Sequence, residues 1–137
     1  MRVLAIDHGT KRIGLALSDE LGIVAQPFDT LAAAPFDRFL TRLKAILKEK
    51  QVELVLVGMP RNMDGSYGPA ALKVQEFVAV LKDALPVAIQ TWDERLTSTQ
   101  ANRYLLQADL SRTERRSKVD KTAAAILLQS YLDSRAP

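Results

Sequence analysis

MRVLAIDHGTKRIGLALSD, residues 1–19, reads as two short strands folded back on each other. The first apolar run ends in one carboxylate, Asp7, and Gly9 then turns the chain. In the second run, Arg12 to Ser18, the residues Ile13, Leu15 and Leu17 alternate with small ones, the period of a half-buried strand. On the first strand Val3, Ala5 and Asp7 share one face, and Leu4 and Ile6 share the other. An acid at the end of an apolar strand costs solvation energy unless something compensates for it. Two readings of Asp7 stand at this point. It caps the turn through its own backbone, or it is a metal-binding carboxylate held on a rigid element.

The rest of the composition bounds the class. A chain of 137 residues is expected to form one domain, residues 1–137, with a substantial core. With no cysteine there is neither disulfide nor thiolate chemistry, and a reducing cytoplasm is the expected location. The first apolar run is too short for a signal peptide, and no later run is long enough to span a bilayer, so no membrane partner is expected. The net charge of +3 is unevenly placed. Between Arg95 and Lys121 seven basic residues face three acids, a local +4 against −1 for the remainder. Such a segment suits an anionic partner such as nucleic acid, or is simply a solvated helical face.

Working outward, Ile23–Leu31 is expected to form a third strand, placed at a sheet edge by Pro27. Pro35 opens a helix with Phe36, Phe39, Leu40, Leu43, Ile46 and Leu47 at helical spacing. Leu54–Val57 is an uninterrupted apolar run, suited to a parallel strand covered on both faces. Arg61–Gly68 is rich in turn formers and predicts a mobile loop. Pro69 then starts a helix with Ala71, Val74, Val78 and Leu81 on one stripe. Val87–Trp92 is a fifth strand ending in Asp93-Glu94-Arg95. Thr97 and Gln100 form a capping box for a third helix with Ala101, Tyr104, Leu105 and Ala108 on its buried side. A basic connector, Ser111–Lys118, leads to a last helix ending near Ser134. The order predicts an α/β fold with a five-stranded mixed sheet. Its first three strands are antiparallel, and the fourth and fifth are added parallel to the first by right-handed crossovers.

The last helix holds the most telling detail. At 100° per residue, Val119, Ala123, Ile126, Leu127 and Tyr131 define an apolar arc, and Asp120 falls inside it. Ser117 and Asp120 have the spacing of a capping box at the start of this helix, and Asp120 is also a candidate ligand, the two roles not being exclusive. Glu94, with Asp93 beside it, sits where the fifth strand runs out, the edge at which open α/β sheets place their ligands. Parallel first, fourth and fifth strands bring Asp7 and the Asp93-Glu94 pair to one edge. Oxygen-only donors of this kind suit Mg²⁺ or Mn²⁺, which activate water and stabilise a leaving oxygen in phosphodiester hydrolysis.

Four stretches in order, Asp7-His8-Gly9 with Arg12-Ile13-Gly14-Leu15-Ala16 and Ser18-Asp19, Gly58-Met59-Pro60 with Met63-Asp64-Gly65-Ser66, Asp93-Glu94-Arg95-Leu96-Thr97, and Asp120 with Ala123-Ala124 and Leu127-Leu128-Gln129, resemble the YqgF (RuvX-like) family. Members of that family go under two names, Holliday junction resolvase and pre-16S rRNA nuclease. The resemblance spans almost the whole chain and implies an RNase H-like fold, a cytoplasmic bacterial protein and a metal-dependent nuclease. It implies Asp7, Glu94 and Asp120 as catalytic and metal-binding acids. It does not choose between branched DNA and ribosomal RNA precursor, nor does it fix whether the protein is a monomer or a homodimer.

Secondary candidates follow. Arg12 is a phosphate contact or a plain strand charge, and Arg95 contacts phosphate, orients Glu94 or forms a structural ion pair. Arg61, Asn62 and Ser66 clamp substrate or merely shape their loop. His8 would sit beside the acids, as a general acid–base group or, more simply, a turn residue. Trp92 stacks on a base or packs in the core, and Tyr131 packs. Arg112, Arg115, Arg116, Lys118 and Lys121 would grip the nucleic-acid backbone, giving steep salt dependence. Two competing functions remain. Asp7-His8-Gly9-Thr10 is similar to the phosphate hairpin of the actin and sugar-kinase ATPases, but those close their cleft between two such domains. A non-catalytic ribosome-assembly or nucleic-acid-binding factor, with the ribosome as partner, is the other.

Overall fold

The structure, a computed structural model, describes residues 1–94 and 112–135, with 112–119 as backbone. Five strands, β1 (Val3–Asp7), β2 (Arg12–Ser18), β3 (Ala25–Ala32), β4 (Leu54–Met59) and β5 (Ala88–Asp93), form one sheet in the order β3-β2-β1-β4-β5. β1, β2 and β3 pair antiparallel, whereas β4 is parallel to β1 and β5 to β4, as the sequence predicts. Helices α1 (Phe36–Glu49) and α2 (Pro69–Ala84) cover one face, and α3 (Arg112–Ser134) covers the other. The residues expected to form a helix after Thr97 lie outside the described residues.

Strand alternation assigns the two cores. Leu4, Ile6, Ile13, Leu15, Val55 and Val57 pack under α1 and α2 with Phe39, Leu43, Val74 and Leu81. Val3, Ala5, Ala16, Leu54 and Leu56 pack under α3 with Ala124, Leu127, Leu128 and Tyr131. Burial of large apolar side chains on this scale is worth about 1.5–3 kcal/mol for each one fully covered. Pro27 lies in β3, an edge strand, where its missing N–H breaks no central ladder.

The α3 face of β2 carries Arg12, Gly14, Ala16 and Ser18, three of them small, and this lets the helix come close. A Cβ on Gly14 would collide with the backbone carbonyl of Asp120, so glycine is what admits the helix there. Gln129 fastens α3 to the start of β3, accepting from the Ala25 N–H at 2.9 Å and donating to the Ile23 carbonyl at 2.9 Å. Ser18 Oγ accepts from the Val3 N–H at 2.8 Å and tightens the hairpin.

Three sequence expectations for α3 are corrected. The basic connector does not precede the helix: from Arg112 onward its residues are helical, and Ser111 lies outside the described residues. Arg, Glu and Lys are good helix formers without any apolar period, so the segment looks like a linker while favouring a helix. Consequently Ser117 and Asp120 are not a capping box, because the helix begins five residues before Ser117. The buried stripe is also broader than the expected arc. Ala124 and Leu128 are fully buried, and Ile126 is only partly covered.

Candidate active site at the carboxyl edge of the sheet

β1 and β5 both end at the edge where β4 gives way to the loop before α2. Asp7 is the last residue of β1, paired with Gly14 across the hairpin, and its alternation turns it to the α3 face. On β5, Trp92 pairs with Gly58 and Asp93 with Met59. Trp92 takes the α3 face, its ring 5.2 Å from that of Tyr131 in a T-shaped contact. The next residue on that face is Glu94, whose N–H still bonds the Met59 carbonyl at 3.3 Å. Glu94 thus meets Asp7, while Asp93 faces the other way, 3.8 Å from Arg61.

Three carboxylates converge here. Asp7 hydrogen-bonds Glu94 and feels the charges of Glu94 and Asp120. Burial, followed by those two neighbouring charges, raises the Asp7 pKa from 3.8 to about 7. Glu94 is likewise raised by burial, partly offset by the hydrogen bond from Asp7, with the Asp93 charge adding a smaller push. The two acids form one coupled pair, with Asp7 the member whose proton affinity the contact raises and Glu94 the one whose it lowers. Gly58 forms the floor: a Cβ there would run into the Glu94 carboxylate and press on Leu127.

Asp120 extends the buried stripe of α3 by one turn, out to this edge. Its Oδ2 accepts from Arg12 Nε at 2.7 Å, with Arg12 40% and Asp120 20% exposed at the side chain. Arg12 and Gly14, two apart on one face of β2, therefore make a two-part seat. Gly14 admits the Asp120 backbone, and Arg12 holds its carboxylate. The strand charge of Arg12 was visible in the sequence, but its partner lies 108 residues away, beyond any local pattern.

The other candidates fall differently. His8 does not sit beside the acids; alternation sends it to the opposite face, where its ring lies 4.5 Å from that of Phe77. Burial and then the Lys73 charge lower its pKa. Arg61 is turned inward: it donates to the Gly65 carbonyl and lies over the Tyr67 ring at 4.8 Å. Asn62 donates to Ser66 Oγ at 3.1 Å, and Ser66 bonds Asp64, so the loop is closed by its own side chains. Lys121 follows Asp120 and is partly exposed. Arg95 lies outside the described residues, and Arg112, Arg115, Arg116 and Lys118 lie on the first turns of α3.

By chemistry the donors suit a hard divalent cation: three carboxylates over a glycine floor, the proton affinity of one raised first by burial and then by its acidic neighbours. Among the described residues no group of three or more His, Cys, Asp and Glu stands ready to hold a metal ion. The guanidinium of Arg12 offsets part of the negative charge of the cluster.

The comparisons agree with this architecture. Over 98% of this chain and 96% of its own, the Thermus thermophilus RuvC structure in complex with Holliday junction substrate superposes with a TM-score of 0.55 at 18% identity. The fowlpox virus resolvase, solved with Holliday junction DNA, superposes over the full length of both chains with a TM-score of 0.58 at 12% identity. The class is thus an RNase H-like α/β fold of the resolvase type. Residues 1–134 match the RuvX family, described as Holliday junction resolvase. A Clostridium kluyveri protein is 47% identical over 133 residues, covering 97% of each chain. One from Geobacillus kaustophilus is 47% identical over 137 residues, covering 98% of this chain and 99% of its own. Both carry the provisional name pre-16S rRNA nuclease. The chain belongs to the RuvX (YqgF) family.

Proposed function

We propose that this protein is a divalent-metal-dependent nuclease that hydrolyses phosphodiester bonds in nucleic acid, and that its reaction is processing of the 5′ end of pre-16S rRNA in the cytoplasm. The observation that carries the reading is the meeting of Asp7, Glu94 and Asp120 from three separate elements at one sheet edge. The names of its relatives support the RNA substrate.

Asp7, Glu94 and Asp120 would hold Mg²⁺ or Mn²⁺, which supplies an activated water and charge stabilisation at the leaving oxygen. The chain's own residues prepare the site. Asp7 and Glu94 must be deprotonated to act as ligands, so proton and cation compete for the pair and cation affinity rises with pH. Arg12 fixes the Asp120 carboxylate and keeps it turned to the edge. Gly58 keeps the floor open beneath Glu94. The basic residues of the first α3 turns, together with Lys121, would attract the phosphate backbone.

A second reading is a Holliday junction resolvase acting on branched DNA, favoured by the family description and by the junction-bound fold neighbours. A resolvase would act as a two-fold dimer, because a junction presents two symmetric strands. The test is cleavage of two labelled substrates side by side, a precursor rRNA fragment and a four-way DNA junction. Each is run with Mg²⁺, Mn²⁺ and EDTA, using wild type, Asp7→Asn, Glu94→Gln and Asp120→Asn. Metal-dependent cutting of the RNA, lost in all three variants, is expected. Cutting of the junction alone would move the assignment to the resolvase. Retained RNA binding without any cutting would support the assembly-factor reading instead.

A further inference from the structure

On the side of the sheet away from the acids, the same edge carries a shallow groove whose walls include His8, Thr10, Phe36, Lys73, Glu76 and Phe77. Topology gathers them. β1 and β3 run in the same direction, so α1 starts at the edge where β1 ends, and α2 starts there after β4. Phe36 is the first residue of α1, and Lys73, Glu76 and Phe77 lie in the first turns of α2. The rings form a continuous surface. His8 is 4.5 Å from Phe77, and Phe36 meets Phe77 edge-on at 6.3 Å and 80°. Phe77 is buried, but Phe36 is left 38% exposed at the rim.

The exposed aromatic edge is flanked by the ammonium of Lys73, the hydroxyl of Thr10 and the carboxylate of Glu76 as well as by the apolar Ala33 and Val80. It matches a flat, polar-edged ring attached to a phosphate. Continuity with the acids points the same way. Asp7 and His8 are consecutive, with Cα atoms about 3.8 Å apart, and face opposite sides of the edge. A strand laid over Asp7 can therefore pass a neighbouring base across the hairpin turn to the His8 side.

We infer that the His8–Phe36–Phe77 groove is a stacking subsite for one unpaired nucleobase of the substrate strand, with Lys73 on the adjoining phosphate. The inference rests on the nucleic-acid reading of the acid site. Phe36 and His8 offer the ring surface, and Thr10 and Glu76 offer hydrogen-bonding groups to the base edge. A base in a duplex has both faces covered, so this subsite selects single-stranded or splayed segments next to the cleaved bond. It makes the chain a reader of strand state rather than of sequence, because every base has a π-face.

The test is equilibrium binding, in EDTA so that nothing is cut, of a single-stranded RNA oligonucleotide and of a duplex of the same length. Stacking on aromatic side chains is typically worth about 5- to 150-fold in affinity per base. Phe36→Ala is expected to weaken single-strand binding within that range and to leave duplex binding unchanged, while Phe36→Tyr restores it. An abasic nucleotide moved along the strand should, at one position, cause the same loss in wild type and no further loss in Phe36→Ala. The wild-type half of this arm needs no variant to fold. Lys73→Ala should lower the salt dependence of single-strand binding by about 0.7 in log–log slope. Unchanged single-strand binding by Phe36→Ala, or an equal loss on duplex, overturns the subsite while leaving the nuclease reading intact. Wild type that binds no strand at all overturns both.

Discussion

Asp7 is held protonated to about pH 7 by burial and by its acidic neighbours, and this has a measurable cost. A carboxyl whose folded pKa lies above its unfolded value of 3.8 contributes stability that is complete below that value and is lost as pH rises through about 7. Glu94, also raised, adds with the same sign. In urea titrations with EDTA, wild type is expected to be less stable at pH 8 than at pH 4.5. Asp7→Asn should flatten that difference and be the more stable protein at pH 8, by about 1–4 kcal/mol. Mn²⁺ should reverse the order at pH 8, stabilising wild type but not Asp7→Asn. Equal pH profiles for the two proteins would remove the coupled account of the pair.

The docking of α3 on β2 is the element-scale hinge of the site, and two changes separate its parts. Gly14→Ala puts a methyl group into the Asp120 backbone, so the helix must shift. The expected cost is about 1–3 kcal/mol of stability, with loss of cleavage, measured by denaturation and by RNA cutting. Arg12→Ala leaves the helix backbone in place but releases the Asp120 carboxylate. Cleavage should fall at least tenfold, and the Mn²⁺ concentration needed for half-maximal cleavage should rise with it. A fall in cleavage with unchanged Mn²⁺ dependence would mean that Arg12 acts elsewhere, for instance on phosphate.

Elements were legible wherever period and punctuation agreed. Alternation in residues 12–18 gives β2 and its small-residue face, and Pro27 gives the edge position of β3. An acid inside an apolar helical arc marked Asp120 before any neighbour was visible. The start of α3 was not legible, because a helix whose first turns have no apolar stripe leaves no periodic trace, and Ser117 imitates a cap. The choice between Asp93 and Glu94 needed the β4–β5 register, since both end the same strand in the sequence. The Arg12–Asp120 pair depends on a crossing of helix and strand that only the assembled sheet provides.

At the scale of the whole molecule, the chain carries a net charge of +3 with its excess in the segment from Arg95 to Lys121. Binding of single-stranded RNA should therefore weaken linearly on a log–log salt plot. Replacing Arg115, Arg116 and Lys118 with alanine should reduce the slope by about 2, close to 0.7 for each neutralised phosphate. Cleavage measured at saturating RNA should change much less. An unaltered slope would place the phosphate contacts outside this segment. Among the described residues no helix is long and apolar enough to cross a membrane.

Asp7, Glu94 and Asp120 are supplied by the first strand, the end of the fifth strand and the last helix, and this spread sets a schedule for the newborn protein. A chain leaving the ribosome presents its first acid long before the other two, and Asp120 last. Until α3 has emerged and settled on the sheet, the polypeptide has neither Asp120 nor the lid that buries Asp7. Under the proposed function, a fragment that ends before α3 lacks one of the three acids while it is still on the ribosome. The set of three acids is complete only once α3 has been added.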